Sequence, residues 1–312
     1  MSEPPHIVVC INERFAPGAW MVFWTIWRNW DRETKPVFHV LTTDRGTPGI
    51  RRLESLAARA GMTLRLHDAE MTAVEGLPTG QYTSYTYVRL LAPLVLRDLP
   101  KYLYFDADVF VRASLAPLFE TDFSEAAAAV QEYGINSLGA GVPYAGLSDE
   151  ERQRRYFNAG ALLVNVPVWN AANLSPRMLE FLHTHKASLK HADQDGVNGV
   201  LKGAIHELDA KWNFQSDAMD YLDSVGWPEN RRALETRRGE LMESAAMVHF
   251  LGPHKPWLRW LTTPYAGEYR ALYLRSGWLT WPQRQRLRLV WLAESARLTA
   301  RRLKHDFLRR RR

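Results

Sequence analysis

HIVVCIN at residues 6–12, PVFHVLTT at 36–43 and MTLRLHDA at 62–69 are three apolar, β-branched segments, separated by helical patterning over 17–30 and 47–60. A strand, a crossover long enough for a helix and another strand make a parallel pair. The opening therefore predicts a βαβαβ unit within an α/β fold, a mostly parallel sheet with helices on both faces. In such sheets a ligand belongs at the carboxyl ends of the strands. YTYVRLLAPLVL (85–96) then predicts a helix, and Pro100 stops the chain before the strand-like KYLYFDADVFV (101–111).

Beyond that point the pattern gives a short helix around 115–120, a strand AAAAVQEY (126–133) and a Gly/Pro/Tyr-rich loop from about 134 to 148. FNAGALLVNVPVW (157–169), a helix from about 176 to 190, and a helix opened by ADQDGVNGVL (192–201) follow. AIHEL (204–208) and AMVHFL (246–251) read as further strands. The 312 residues, 46% hydrophobic and 24% charged, suit a globular chain with a real core. No uncharged apolar run reaches 18 residues, so no spanning helix is expected. A single cysteine, Cys10, excludes an intramolecular disulfide framework and a cysteine-built zinc cage. MSEPPHIVVCINERF lacks a basic n-region and a cleavable apolar core, which predicts a cytosol-facing protein.

The chemistry gathers where apolar segments are broken. In KYLYFDADVFV a nearly all-apolar strand ends in Asp106-Ala107-Asp108 and resumes as VFV. Burying an unpaired carboxylate is costly. Two of them, two residues apart on a strand, share a face and can share Mg2+ or Mn2+ there; the alternative is a turn cap or an ion pair with Arg112. A cation held by two carboxylates has spare positions that phosphate oxygens can fill. His249, near the end of MVHF, is a candidate third ligand that suits Mn2+ better than Mg2+, or else a satisfied structural histidine. After it comes LGPHKPW (251–257), where Gly252 permits close backbone approach and Lys255 offers a point charge to a diphosphate.

Three further positions stand out. Asn158 precedes an apolar run and can either bind sugar hydroxyls or cap a turn. Asp193, Gln194 and Asp195 lie at a helix start, where N-capping explains only one of the three. Arg89, on the helix before the DAD strand, can neutralise a carboxylate or phosphate, or sit exposed.

Taken in order, FDADV, YFNAGALLVN, DQD and HFLGPHKPW resemble the motifs of the family 8 glycosyltransferases, with the bacterial lipopolysaccharide galactosyl- and glucosyltransferases as the nearest likeness, over roughly residues 6–282. The resemblance implies a GT-A fold over residues 1–282, with a Rossmann-like mixed sheet, a UDP-sugar donor, Mn2+ (Mg2+ as a substitute), and hexose transfer with retention to a glycan, either lipopolysaccharide core or another lipid-linked saccharide. Asp106, Asp108 and His249 would hold the metal. Ala107, Gly252 and Lys255 would meet the diphosphate, and Arg89, Asn158, Asp193 and Gln194 the donor sugar. Cys10 and Asn12 would flank the nucleotide; Asn12 and Arg14 stand where the family usually carries Asp and Asn. The residue under the sugar's reactive face would be Gln194, a poor nucleophile, which favours a front-face route with Asp195 as the second choice. Electrostatic stabilisation of the departing UDP would then dominate.

Residues 283–312 read separately. From 284 onward, 11 Lys/Arg face only Glu294 and Asp306, a local +9 within a chain of net +6. Leu289, Ala293, Ala296, Ala300, Leu303 and Phe307 recur at threes and fours among the arginines. This is a basic amphipathic helix suited to an anionic membrane surface, with Trp278, Trp281 and Trp291 at headgroup level, or else a solvated helix packed on the body. The expected setting is peripheral, on the cytoplasmic face of the inner membrane; no nucleic-acid motif accompanies the arginines. Two other functions fit parts of the pattern. A two-metal nucleotidyltransferase would use the same carboxylates but lacks a Gly-rich phosphate loop after the first strand. A non-catalytic, membrane-bound sugar-nucleotide or glycan-binding protein would fit the changed Asn12 and Arg14.

Overall fold

The computed structural model describes residues 3–79, 83–216, 239, 242–252 and 254–309, with side chains of the closing helix described up to residue 299. Pro253 of the candidate diphosphate loop, the side chains of Ala300, Leu303 and Phe307, and the terminal arginines lie outside the described residues. The chain divides into two units, Met1–Pro253 and His254–Arg312.

In the first unit the strands are β1 (His6–Cys10), β2 (Val37–Thr42), β3 (Thr63–Asp68), β4 (Lys101–Phe105), β5 (Val109–Val111), β6 (Ala127–Gln131), β7 (Phe157–Asn165), β8 (His206–Glu207), β9 (Phe214–Gln215) and β10 (Met247–His249). The helices between them are α1 (Ala16–Asn29), α2 (Pro48–Arg59), α3 (Tyr85–Val88), α4 (Ala92–Val95), α5 (Ala116–Phe119), α6 (Leu138–Gly141), α7 (Asp149–Gln153), α8 (Val166–Ala171), α9 (Leu174–Thr184) and α10 (Asp193–Leu201).

The main sheet has seven strands in the order β3-β2-β1-β4-β7-β6-β8. β3, β2, β1 and β4 are mutually parallel, as the opening pattern predicts, while β7 runs antiparallel to both neighbours. β1 and β2 are buried along their whole length, which is why they read as mainly apolar runs. On one face Val8, Cys10, Leu41, Tyr104 and Leu162 join a core with Val88, Trp169, Met178 and Val197 from the helices. On the other, Phe23 of α1 packs on Phe38 of β2 with ring centroids 4.7 Å apart. Helices therefore cover both faces. KYLYFDADVFV is not one strand. β4 belongs to the main sheet, and β5 leaves it for a second, three-stranded sheet ordered β5-β10-β9.

The helix expected over 85–96 is two short ones. Pro93 has no N–H to give and its ring clashes with the carbonyl four residues earlier, so the chain turns through Leu90 N–H to Tyr87 O and Leu91 N–H to Val88 O before α4 begins. This break sets Arg89 at a corner. The 134–148 loop contains α6, and its Leu138, Val142 and Leu147 form a separate apolar cluster with Tyr156.

Three histidines cross β1, β2 and β3 diagonally, with His6 Nδ1 2.9 Å from His39 Nε2 and His39 Nδ1 2.9 Å from His67 Nε2. Burial lowers all three pKa values, His39 to about 3, with Arg65 and Arg45 adding to the effect and Glu3 and Asp68 opposing it. A histidine depressed in the folded state binds fewer protons there than in the unfolded chain. Its contribution is therefore intact above about pH 6.5 and is lost as the pH falls from there toward 3. We expect His39 to add a slope approaching about 1.4 kcal/mol per pH unit in that window. Urea unfolding of the protein and His39→Phe from pH 7 to 4.5 checks it: the gap in pH slope between them should vanish only if the ladder does not titrate.

In the second unit, α11 (Ala266–Tyr273) precedes α12 (Trp281–Arg309). Arg270 lies over the Trp260 ring at 3.6 Å and 6.0 Å from that of Trp291, and Arg259 pairs with Glu294 at 2.8 Å. Trp291 is 3% exposed, so it is a packing residue and not one of the headgroup-level tryptophans expected from the sequence. Trp281, Leu289 and Leu292 are 71%, 68% and 64% exposed. Among the described residues no helix is long and apolar enough to cross a membrane.

Candidate active site at the carboxyl ends of the strands

Asp106, Ala107 and Asp108 form the turn between the two sheets, closed by Val109 N–H to Asp106 O at 3.3 Å. Asp106 N–H also bonds Gly160 O of β7 at 2.8 Å. The carboxylates meet through this turn, not through strand alternation as the sequence suggested. β10 pairs antiparallel with β5 so that His249 stands opposite Val109, which brings its ring to the turn. His249 Nε2 lies 3.2 Å from Asp108 Oδ1 and 3.8 Å from Asp106 Oδ2. One ligand atom from each of the three residues lies within 4.8 Å of the others. Two carboxylates and an imidazole are a donor set suited to Mn2+. Gly160 lets His249 and Asp106 close against β7: a Cβ there would fall 2.1 Å from His249 Cε1 and 2.8 Å from Asp106 Oδ2. The residues present therefore fit a cation.

Asp106 divides its oxygens between two tasks. Oδ1 accepts from Arg89 Nη2 and from Tyr104 O–H, each at 2.7 Å, leaving Oδ2 toward His249. The buried Arg89 also pairs through Nε with Asp193 Oδ2 at 2.9 Å, donates to Ala159 O at 2.7 Å and lies over the Tyr104 ring. Burial opposes its charge, but Asp106 and Asp193 outweigh burial and push its pKa up. Burial raises the Asp193 carboxyl to about 6 against the pull of Arg89 and a hydrogen bond from Thr86. Arg89 is thus a buried link between the metal turn and the start of α10.

That start is strained: Ala192 takes φ 52, ψ −123, a region that disfavours residues with a Cβ, and turns Asp193 inward. Gln194 Oε1 accepts from Ala159 N–H at 2.9 Å and its amide donates to Glu132 Oε2 at 3.2 Å. Asn158 Nδ2 donates to the same Glu132 oxygen at 2.7 Å. Asp195 is 0% exposed and its oxygens take four donors: Tyr156 O–H at 2.9 Å, Tyr144 O–H at 2.7 Å, and the N–H groups of Lys190 at 2.7 Å and His191 at 3.1 Å. It anchors the 134–148 loop to α10.

At the end of β1, Cys10 is buried, which pushes its thiol pKa up. Asn12 Oδ1 is buried with no partner among the described residues, an acceptor suited to a ligand N–H, whereas Arg14 is exposed. Gly252 has φ 85, the left-handed region that favours glycine. Lys255 belongs to the second unit. Sequence reasoning missed Glu132 and Asn213. Glu132 carried a readable signal, a lone charge closing the apolar AAAAV segment; Asn213 carried none.

A parallel-centred α/β sheet with an acidic turn at its strand ends, whose residues fit a cation, is an arrangement suited to an anionic ligand. The comparisons make this specific. The pattern of glycosyl transferase family 8 matches residues 6–261, and the chain belongs to that family. The lipopolysaccharide 1,3-galactosyltransferase of Salmonella typhimurium is 29% identical over 253 residues, covering 77% of this chain and 69% of that protein. The lipopolysaccharide 1,2-glucosyltransferase of Escherichia coli K12 is 25% identical over 290 residues, covering 89% and 80%. The crystal structure of the galactosyltransferase LgtC with donor and acceptor sugar analogs matches with TM-score 0.75 and 25% identity, over 90% of this chain and 99% of that one. The GT-A fold expected from the sequence is the fold found.

Proposed function

We propose that this glycosyltransferase moves galactose or glucose from a UDP-sugar to a saccharide of the lipopolysaccharide core, or to another lipid-linked glycan, with retention of configuration and with Mn2+ as its cation. The observation that carries the reading is the convergence of Asp106, Asp108 and His249 against Gly160 of β7. A cation held there would neutralise charge on the departing diphosphate. The relatives' named activities support the hexose and the acceptor class; nucleotidyl transfer and a non-catalytic role are not favoured by them.

The chain's own residues account for the rest. Asn12 accepts from the base, and Gly252 meets the diphosphate, with Ala107 at the turn beneath it. Asp193, Gln194 and Asn158 contact the sugar, with Arg89 holding Asp193 in place. Gln194 is a poor nucleophile, and the Asp195 carboxylate is engaged by four donors, so a covalent intermediate has no ready partner. In the front-face route the bond from the anomeric carbon to the phosphate oxygen breaks as the bond to the acceptor hydroxyl forms on the same face. The hydroxyl proton passes to the leaving phosphate. UDP calorimetry with and without Mn2+, followed by transfer assays with UDP-galactose and UDP-glucose, tests this: we expect micromolar UDP binding only with the metal. UDP binding that is equally tight in EDTA overturns it.

We also propose that residues 283–312 dock on an anionic membrane from the cytoplasmic side, with Leu289 and Leu292 entering the interface between arginines. A chain truncated after residue 283 should lose most of its sedimentation with phosphatidylglycerol vesicles; undiminished sedimentation overturns the docking.

A further inference from the structure

A line of buried polar side chains runs from Glu132 to the metal cluster: Asn158 Nδ2 to Glu132 Oε2 at 2.7 Å, Asn213 Nδ2 to Asn158 Oδ1 at 2.9 Å, and His249 Nδ1 to Asn213 Oδ1 at 3.2 Å. Its direction is fixed twice over at Asn158. A carboxylate only accepts, so Asn158 must turn its NH2 to Glu132. Gly160 N–H, which only donates, lies 3.0 Å from Asn158 Oδ1 and demands the same orientation. Asn213 must then give its NH2 to Asn158 and its oxygen to His249, and that oxygen requires a proton on His249 Nδ1. Its other nitrogen, Nε2, is thereby directed at Asp106 and Asp108.

We propose that Asn213, fully buried and with no assigned role, is the positioning residue of this metal centre. It selects the Nδ1–H tautomer of His249 and holds the ring so that Nε2 is a ligand before any cation arrives. Glu132 orients the line, and because it also accepts from Gln194, the same carboxylate sets the metal side and the sugar side of the site. A ligand histidine whose second nitrogen is so held gains basicity and loses little freedom on binding metal.

The proposal rests on reading Asp106, Asp108 and His249 as metal ligands, and two measurements separate its failure from the failure of that reading. First, 15N-histidine NMR of the full chain, with His249→Gln to identify the signals, should find a proton on Nδ1 of His249. A bare Nδ1 overturns the proposal whether or not metal binds. Second, Mn2+ titration calorimetry should give Asn213→Ala an affinity about 10–100-fold weaker than wild type. Asn213→Asp, which keeps an oxygen for the Nδ1 proton, should stay within about threefold despite clashing with Asn158 Oδ1 and lowering the unfolding midpoint. If Asn213 served packing alone, the Asp variant would bind no better than the Ala variant. Asn213→Ala matching a wild type that binds Mn2+ overturns the role of Asn213, and a wild type that binds no Mn2+ overturns the metal reading itself.

Discussion

Gly160→Ala should weaken Mn2+-dependent UDP binding by about 100-fold or more, although it adds a single methyl group. The backbone at Gly160 is ordinary β-strand, so nothing but space forbids a side chain. That space is lacking: the new carbon would lie 2.1 Å from His249 Cε1 and 2.9 Å from its Nε2. His249 cannot simply step aside, because Asn213 holds its far nitrogen and β10 holds its backbone against β5. A displacement of about 1 Å exceeds the tolerance of metal–ligand bonds, about 0.2 Å. The folding cost is that of overpacking, about 1–3 kcal/mol, so the variant remains folded at room temperature. Calorimetry of UDP with Mn2+ reads the loss, and affinity within threefold of wild type would mean that the cation does not sit beside β7.

Arg89→Met should destabilise the protein by about 3–5 kcal/mol, the cost of removing one partner from a buried ion pair. The guanidinium is the counter-charge for both Asp106 and Asp193, and no water-facing conformer is open to Asp193, which is 4% exposed. The double variant Arg89→Met/Asp193→Asn should recover a sizeable part of the loss, since it removes the stranded charge as well. Urea unfolding midpoints of wild type and the three variants give the coupling. A single-variant loss below about 1 kcal/mol would show that Asp193 sheds its charge by taking up a proton at little cost, and the predicted coupling would be absent.

Much of this was legible in the sequence because burial makes polar residues conspicuous. Asp106 and Asp108 stood out against KYLYF, and His249 against MVHF, and the structure brings all three together. The sheet opening was legible because β1 and β2, buried along their length, read as mainly apolar segments spaced by helical patterning. Asn213 was not legible: an asparagine after a tryptophan reads as a turn residue, and its function depends on β9 lying beside β10. The histidine ladder was hidden for a similar reason, since its diagonal contacts need the strand order and register. The break at Pro93 was visible but underweighted; the missing N–H decides that Arg89 sits at a corner, and from a corner it can reach two carboxylates on different elements.

The division of KYLYFDADVFV between two sheets has a consequence for how the chain matures. Asp106 and Asp108 arrive early in the chain, but His249 joins them only when β10 has closed on β5, after most of the catalytic unit has been laid down. A cation that needs all three therefore recognises the finished fold alone, and its binding draws the population toward that fold. Such an ion would act as a clasp: a chain that had not yet seated β10 would have nowhere to keep it, and so no complete site for an activated sugar.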